Sequence, residues 1–210
     1  MLISLLSIFV FSSAVLHIRA EYRGPQWYIY TFKPLTTSLI ILIAGLAGAP
    51  PLPFYKYAIV AGLVFSLAGD IFLMLPQDRF LAGLVSFLVA HLCYIAAFVW
   101  GTGFQVSLAV LLLFLVYGGL LLRILWPHLG PMKGPVVVYA GVILVMGWQA
   151  GERWLDLGGL KPLLTAVGAI LFMISDSALA INRFVAPYKS AQLLILSTYF
   201  TAQWLIAMSI

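Results

Sequence analysis

The chain has 210 residues, of which 64% are hydrophobic and 8% charged, against about 25% charged in an ordinary soluble domain. So few polar side chains cannot coat a globule in water, which excludes a soluble fold, whereas the chain is long enough to cross a bilayer repeatedly. The net charge of +5 arises from eleven Lys and Arg set singly in short loops, a pattern that encodes membrane topology and gives no reason to expect a nucleic-acid partner.

A spanning helix needs about 20 mainly apolar residues. The apolar runs predict eight, at roughly 2–18, 34–49, 54–75, 79–100, 104–125, 133–150, 160–182 and 190–208. The expected architecture is all-α: a polytopic membrane protein forming a single bundle of eight transmembrane helices, one domain over residues 1–210. Helix breakers separate the runs: Gly24-Pro25, Pro50-Pro51-Leu52-Pro53, Pro76, Gly101-Thr102-Gly103, Pro127 to Pro131, Gly158-Gly159 and Pro187. The first run has the apolar core of a signal peptide but lacks a basic leading region and an A-x-A site, and is read as a span. One face of the membrane receives Arg19, Arg23, Lys33, Arg79, Arg123, Lys133, Arg183 and Lys189, and the other Lys56, Arg153 and Lys161. The excess of positive charge predicts that the first face is cytoplasmic. Trp27, Trp100, Trp126, Trp148 and Trp154 fall near span ends and read as an interfacial belt. Spans three and seven carry Gly69-Asp70 followed by Phe80, and Ser175-Asp176 followed by Phe184, which suggests a weak parallel repeat of four helices each.

An acidic side chain in the middle of a spanning helix costs about 2.5–3.5 kcal/mol on insertion scales, so it is expected to face a cavity, a partner or a pathway. Asp70 and Asp176 are placed in this way, six or seven residues inside the cytoplasmic ends of their spans. No Lys or Arg falls in the interior of a predicted span to neutralise them. Each must therefore reach water, accept hydrogen bonds or keep its proton, which suits acid and base chemistry. His91 and Tyr94 share one face of span four, and Gly83 and Phe87 precede His91 on the same stripe, where a neighbouring helix can approach and leave the histidine in a polar cleft. Ser66, Tyr139, and Tyr199 with Gln203 are further polar groups at similar depth, each also readable as glue between helices. Lys33, before Pro34 at the expected start of span two, joins Arg79, Arg183 and Lys189 on one face, where they can hold a lipid phosphate or anchor the protein in anionic headgroups.

No metal or other cofactor is expected. His17, His91 and His128 fall on separate elements without H-E-x-x-H or H-x-x-x-H spacing. The lone Cys93 can form neither an intramolecular disulfide nor a cysteine cluster. There is no G-x-S-x-G elbow, no P-loop and no G-x-G-x-x-G.

The stretch Ser66-Leu67-Ala68-Gly69-Asp70, followed by Pro76, Phe80, Gly83, Phe87, His91 and Tyr94, resembles the YhhN-like family of lysoplasmalogenases, as do Lys33-Pro34 and Ser175-Asp176. What the resemblance implies is a lysophospholipid substrate taken from the bilayer and hydrolysis of the vinyl ether bond of lysoplasmalogen to a fatty aldehyde and a glycerophosphodiester. Such bonds break when the outer alkene carbon is protonated and water attacks the resulting oxocarbenium ion. Two carboxyl groups in different environments can divide those roles. Asp70 and Asp176 would then be acid and base in either order, with His91 and Tyr94 orienting them. A second class stays open, because paired intramembrane aspartates also suit a proton-coupled carrier. The far halves of spans three and seven, nearly all apolar, favour a dead-ended pocket. The sequence prescribes no oligomeric state.

Overall fold

The computed structural model describes residues 1–48 and 53–210. Among them, eight helices are long and apolar enough to span a membrane: α1 (Leu2–Arg23), α2 (Gln26–Leu46), α3 (Pro53–Met74), α4 (Phe80–Val99), α5 (Leu108–Leu125), α6 (Lys133–Leu157), α7 (Leu160–Ala180) and α8 (Ala191–Met208). Short 3₁₀ turns at Trp126–His128 and Gly130–Met132 lead into α6, and a π turn, Ile181–Val185, ends α7. The break expected at Pro50-Pro51-Leu52 lies outside the described residues.

The largest departure from the expected spans is at the first hairpin. The stretch from His17 to Lys33 is helical on both sides of Gly24-Pro25 instead of forming a polar loop. Pro25 precedes the first residue of α2, and Pro34, expected to open that helix, lies inside it. A membrane helix tolerates an internal proline where nearby hydroxyls and packed neighbours replace the lost bond. Pro34 leaves the Tyr30 carbonyl without its helical donor, while the neighbouring Thr31 and Thr36 hydroxyls donate to the carbonyls of Trp27 (2.8 Å) and Phe32 (2.7 Å). Lys33 is thereby carried seven residues into α2, about 10 Å from its start at 1.5 Å per residue, and is not left at the membrane mouth. The end of α3 at Met74 also places Asp70 only four residues from its helix terminus, shallower than expected. Trp148 leaves the predicted belt: it is buried, whereas Trp27, Trp100, Trp126 and Trp154 are exposed.

The helices alternate in direction, so that one end of the bundle gathers the α1–α2, α3–α4, α5–α6 and α7–α8 connections and most of the basic residues. This is called the basic end below. Helix α1 packs along α2, α3 along α4 and α7 along α8; α6 bridges α4 and α7, while α5 packs on α6 and stands off α4. Lipid offers no hydrophobic force between helices, so close approach depends on small residues. Gly69 admits the ring of Phe87, Gly83 admits Leu73, and Gly168 lets α7 approach the backbone of Ala202 on α8. Tyr94, Phe98, Phe172, Ile59, Leu63 and Ile206 fill the centre completely.

A Cβ on Gly69 would lie 2.6 Å from the Phe87 ring. Gly69→Ala should therefore force α3 and α4 apart beside Asp70 and cost about 1–3 kcal/mol, seen as a lowered thermal midpoint in detergent. Gly45→Ala in α2, where nothing lies within 4 Å, should show no such loss.

Candidate active site

The amphipathic logic of a soluble helix is inverted here: polar groups of α1, α2, α3, α7 and α8 turn inward near the basic end and meet around one cleft of about 600 Å³. Its walls include both Asp70 and Asp176. The two carboxyl groups thus face one space, although their surroundings differ.

Asp70 on α3 is almost fully buried, with 1% of its surface exposed. Its Oδ2 accepts from Thr37 Oγ1 of α2 at 2.6 Å and from the Tyr199 hydroxyl of α8 at 2.8 Å. Its Oδ1 faces the Lys33 ammonium at 3.6 Å. Two neighbouring helices thus direct hydroxyls and positive charge at one carboxyl group, an arrangement that suits a carboxylate. The expectation that no cation neutralises the aspartates is corrected for Asp70, because α2 begins earlier than the apolar run suggested and brings Lys33 down to the same level.

Asp176 on α7 is only partly buried, and its Oδ2 accepts from the Tyr139 hydroxyl of α6. No cation pairs with it among the described residues. Asp176 also lines a narrow apolar groove, with Leu84, Leu121 and Ile143, so this residue stands at the boundary between a polar and an apolar space.

A hydrogen-bonded chain runs inward from Asp70. The Tyr94 hydroxyl of α4 donates to Gln203 Oε1 at 2.6 Å, Gln203 Nε2 donates to the Tyr199 hydroxyl at 3.3 Å, and Tyr199 donates to Asp70. Ser66 lies 3.5 Å from the Tyr94 hydroxyl at the far end. The chain stops against buried rings, with Tyr94 stacked on Phe98 and flanked by Phe172. Tyr94, Ser66 and Gln203 therefore bear on the cleft through Tyr199 and do not line it.

His91 does not stand in a polar cleft as expected. Its ring lies 4.7 Å from Phe172 and 5.3 Å from Tyr139, centroid to centroid, and neither ring nitrogen has a hydrogen-bond partner. The stripe Gly83-Phe87-His91 does pack closely, but His91 is fully buried and is not among the residues lining the cleft. Ser175 donates to the Ile195 carbonyl at 2.9 Å and ties α7 to α8. At the rim, Arg79 lines the cleft beside Arg183, whose guanidinium is engaged by Asp78 at 2.7 Å. Lys189 is not among the residues lining the cleft.

Sequence reasoning missed Thr37, Glu21 and Glu152. Thr37 stands four residues after Lys33, the spacing that puts two side chains on one helical face, so it was within reach of the periodicity argument. Glu21 lines the cleft and approaches His17 Nε2 at 3.6 Å. Glu152, inside α6, is buried at the opposite end, where it accepts from Ser107 N (2.8 Å), Ser107 Oγ (2.6 Å) and Trp148 Nε1 (2.8 Å) and pins the α4–α5 loop. No group of three or more His, Cys, Asp or Glu with metal-site geometry occurs among the described residues.

Comparison with known proteins places this architecture in a family. The chain is 34% identical over 198 residues to the membrane protein YhhN of Escherichia coli O157:H7, covering 94% of each. It is 36% identical over 189 residues to the lysoplasmalogenase TMEM86B of Homo sapiens, covering 88% of this chain and 78% of the relative. It is 33% identical over 177 residues to a lysoplasmalogenase of Mycobacterium bovis, covering 80% and 66%. No solved structure matches significantly. The model of the YhhN family matches residues 28–210, a range that takes in both aspartates and all six helices from α3 to α8, and the chain belongs to that family.

Proposed function

We propose that this protein is a membrane lysoplasmalogenase that hydrolyses the vinyl ether bond of 1-alkenyl glycerophospholipids by general acid and base catalysis with two aspartates. The reading is carried by the position of Asp176 where a polar cleft meets an apolar groove. The substrate has the same junction at its scissile bond, with the hydrocarbon chain on one side and the glycerophosphate on the other.

Asp176, with a single donor and no cation, supplies the proton; Asp70, held as a carboxylate by Lys33, Thr37 and Tyr199, acts as the base. The Asp176 carboxyl proton goes to the outer alkene carbon, leaving an oxocarbenium ion stabilised by two carboxylates. Water adds to the inner carbon and gives its proton to Asp70. The resulting hemiacetal collapses when Asp70 returns that proton to the glyceryl oxygen and Asp176 takes the hemiacetal hydroxyl proton. The products are the fatty aldehyde and the glycerophosphodiester, one water is consumed, and both groups are restored. Tyr139 orients Asp176, Tyr199 and Gln203 hold Asp70, and Arg79 at the rim faces the phosphate. The excess of Lys and Arg at this end supports a cleft mouth on the cytoplasmic side.

The carrier reading requires polar groups to continue across the bundle. The packed Leu63, Phe98 and Phe172 beyond Tyr94 disfavour it. The test is aldehyde release from a lysoplasmalogen by the purified protein in D2O, with immediate trapping of the product. Carbon protonation leaves one deuterium beside the aldehyde carbon. No aldehyde from either the ethanolamine or the choline lipid would refute the activity, and aldehyde without that deuterium would refute the mechanism.

A further inference from the structure

The apolar groove that meets the cleft at Asp176 runs between α4 and α5. Its floor, formed by Phe87, Tyr139 and Ile143, is buried, whereas Leu84 on α4 and Leu121 on α5 at its edge are only half-buried. Helix α5 is fastened to α6 but stands off α4, so the edge of the groove opens sideways, toward the place where lipid would lie. Gly118 keeps the α5 wall low where that helix meets Leu144. At the inner end, the Tyr117 hydroxyl and Ser177 Oγ lie 2.6 Å apart and pin α5 to α7 next to Asp176. The free volume is about 60 Å³, a tenth of that in the polar cleft.

We propose that this slot is the lateral entrance of the site: a single hydrocarbon chain slides in from the bilayer between α4 and α5, and its first carbons are held against Asp176 while the headgroup turns into the polar cleft. Three features argue for this occupant. The lining is apolar apart from the groups at the Asp176 end; the slot shares Phe80, Phe87, Asp176 and Leu179 with the cleft that holds both carboxyl groups; and its free volume of about 60 Å³ leaves no room for two chains side by side. Selection for a single-chain lipid then follows from the separation of α4 and α5 and requires no contact with the missing second chain. A membrane-dissolved lipid also need not leave the bilayer to react. The inference deepens the proposed hydrolase reading and relies on it only for the identity of the bond placed at Asp176.

The probe is a 1-O-alkyl lysophosphatidylcholine, whose saturated ether cannot be hydrolysed in this way, carrying a photoreactive diazirine midway along the chain. The protein in bilayer vesicles should be labelled at groove residues such as Leu84, Leu121 and Ala140. Ala140→Phe, which fills the slot, should lower both labelling and binding of the probe at least tenfold. Leu113→Phe, on the lipid-facing side of α5, should change neither. Should Ala140→Phe fail to fold, Leu121→Trp at the half-buried edge gives the same test. Labelling confined to outward-facing positions, or binding unchanged by either groove variant, would overturn the proposal. Groove labelling without aldehyde release from lysoplasmalogen would leave the entrance standing and remove the hydrolase reading; aldehyde release with labelling elsewhere would do the reverse.

Discussion

Asp176→Asn should lower aldehyde release by about 10²–10⁴-fold, the range that a positioned general acid contributes, with little change in thermal stability. Asparagine has nearly the same shape and keeps an oxygen to accept from the Tyr139 hydroxyl, so the α6–α7 contact survives. It has no proton acidic enough to transfer to carbon. The loss corresponds to about 2.7–5.5 kcal/mol of transition-state stabilisation at 1.36 kcal/mol per decade. It should appear in kcat, because the slot and the rim arginine that hold the substrate are untouched. Binding of the saturated alkyl ether lipid should remain within a few-fold of that of the unaltered protein. A variant that binds the ether and still turns over the vinyl ether at near-normal rate would show that the proton comes from elsewhere.

The two aspartates were legible in the sequence because an acid inside an apolar run is conspicuous, and both proved to border one cleft. Their inequality was not legible. It depends on Lys33, and Lys33 looked like a rim residue because Pro34 reads as a helix start. In a bilayer a packed helix can run through a proline, so the apolar run understated α2 by two turns. The first span is understated as well: α1 continues through Arg19, Glu21 and Arg23 despite their charges, at the end of the bundle where basic residues meet headgroups. His91 illustrates the opposite failure. Its spacing from Gly83 and Phe87 correctly marked a packed face, but periodicity along one helix cannot reveal that α6 and α7 enclose it with Tyr139 and Phe172. The chain Tyr94–Gln203–Tyr199 likewise joins residues more than a hundred positions apart, a relation absent from any local window. Fold class and span count follow from composition and apolar runs, whereas the different surroundings of the two aspartates follow from the register between helices.

Lys33→Met alone should destabilise the protein by about 3–5 kcal/mol, the cost of stranding one member of a buried ion pair. Asp70 is 1% exposed, and the Lys33 side chain only 13%, so removing either leaves its partner's charge largely shielded from water. Asp70→Asn should be destabilising for the mirror-image reason, leaving an ammonium facing an amide. The double variant Lys33→Met/Asp70→Asn removes both charges while the asparagine oxygen still accepts from Thr37 and Tyr199. It should regain most of the lost stability, giving a coupling energy of the size seen for residues in direct contact, up to about 3 kcal/mol. Thermal unfolding of the four proteins in one detergent measures this cycle. Activity should behave differently: absent in Asp70→Asn, it should stay absent in the double variant, since the restored fold lacks the base that takes the proton from water. Single variants as stable as the unaltered protein would mean that Lys33 and Asp70 are not paired in the membrane, and recovery of aldehyde release in the double variant would remove Asp70 from the chemistry.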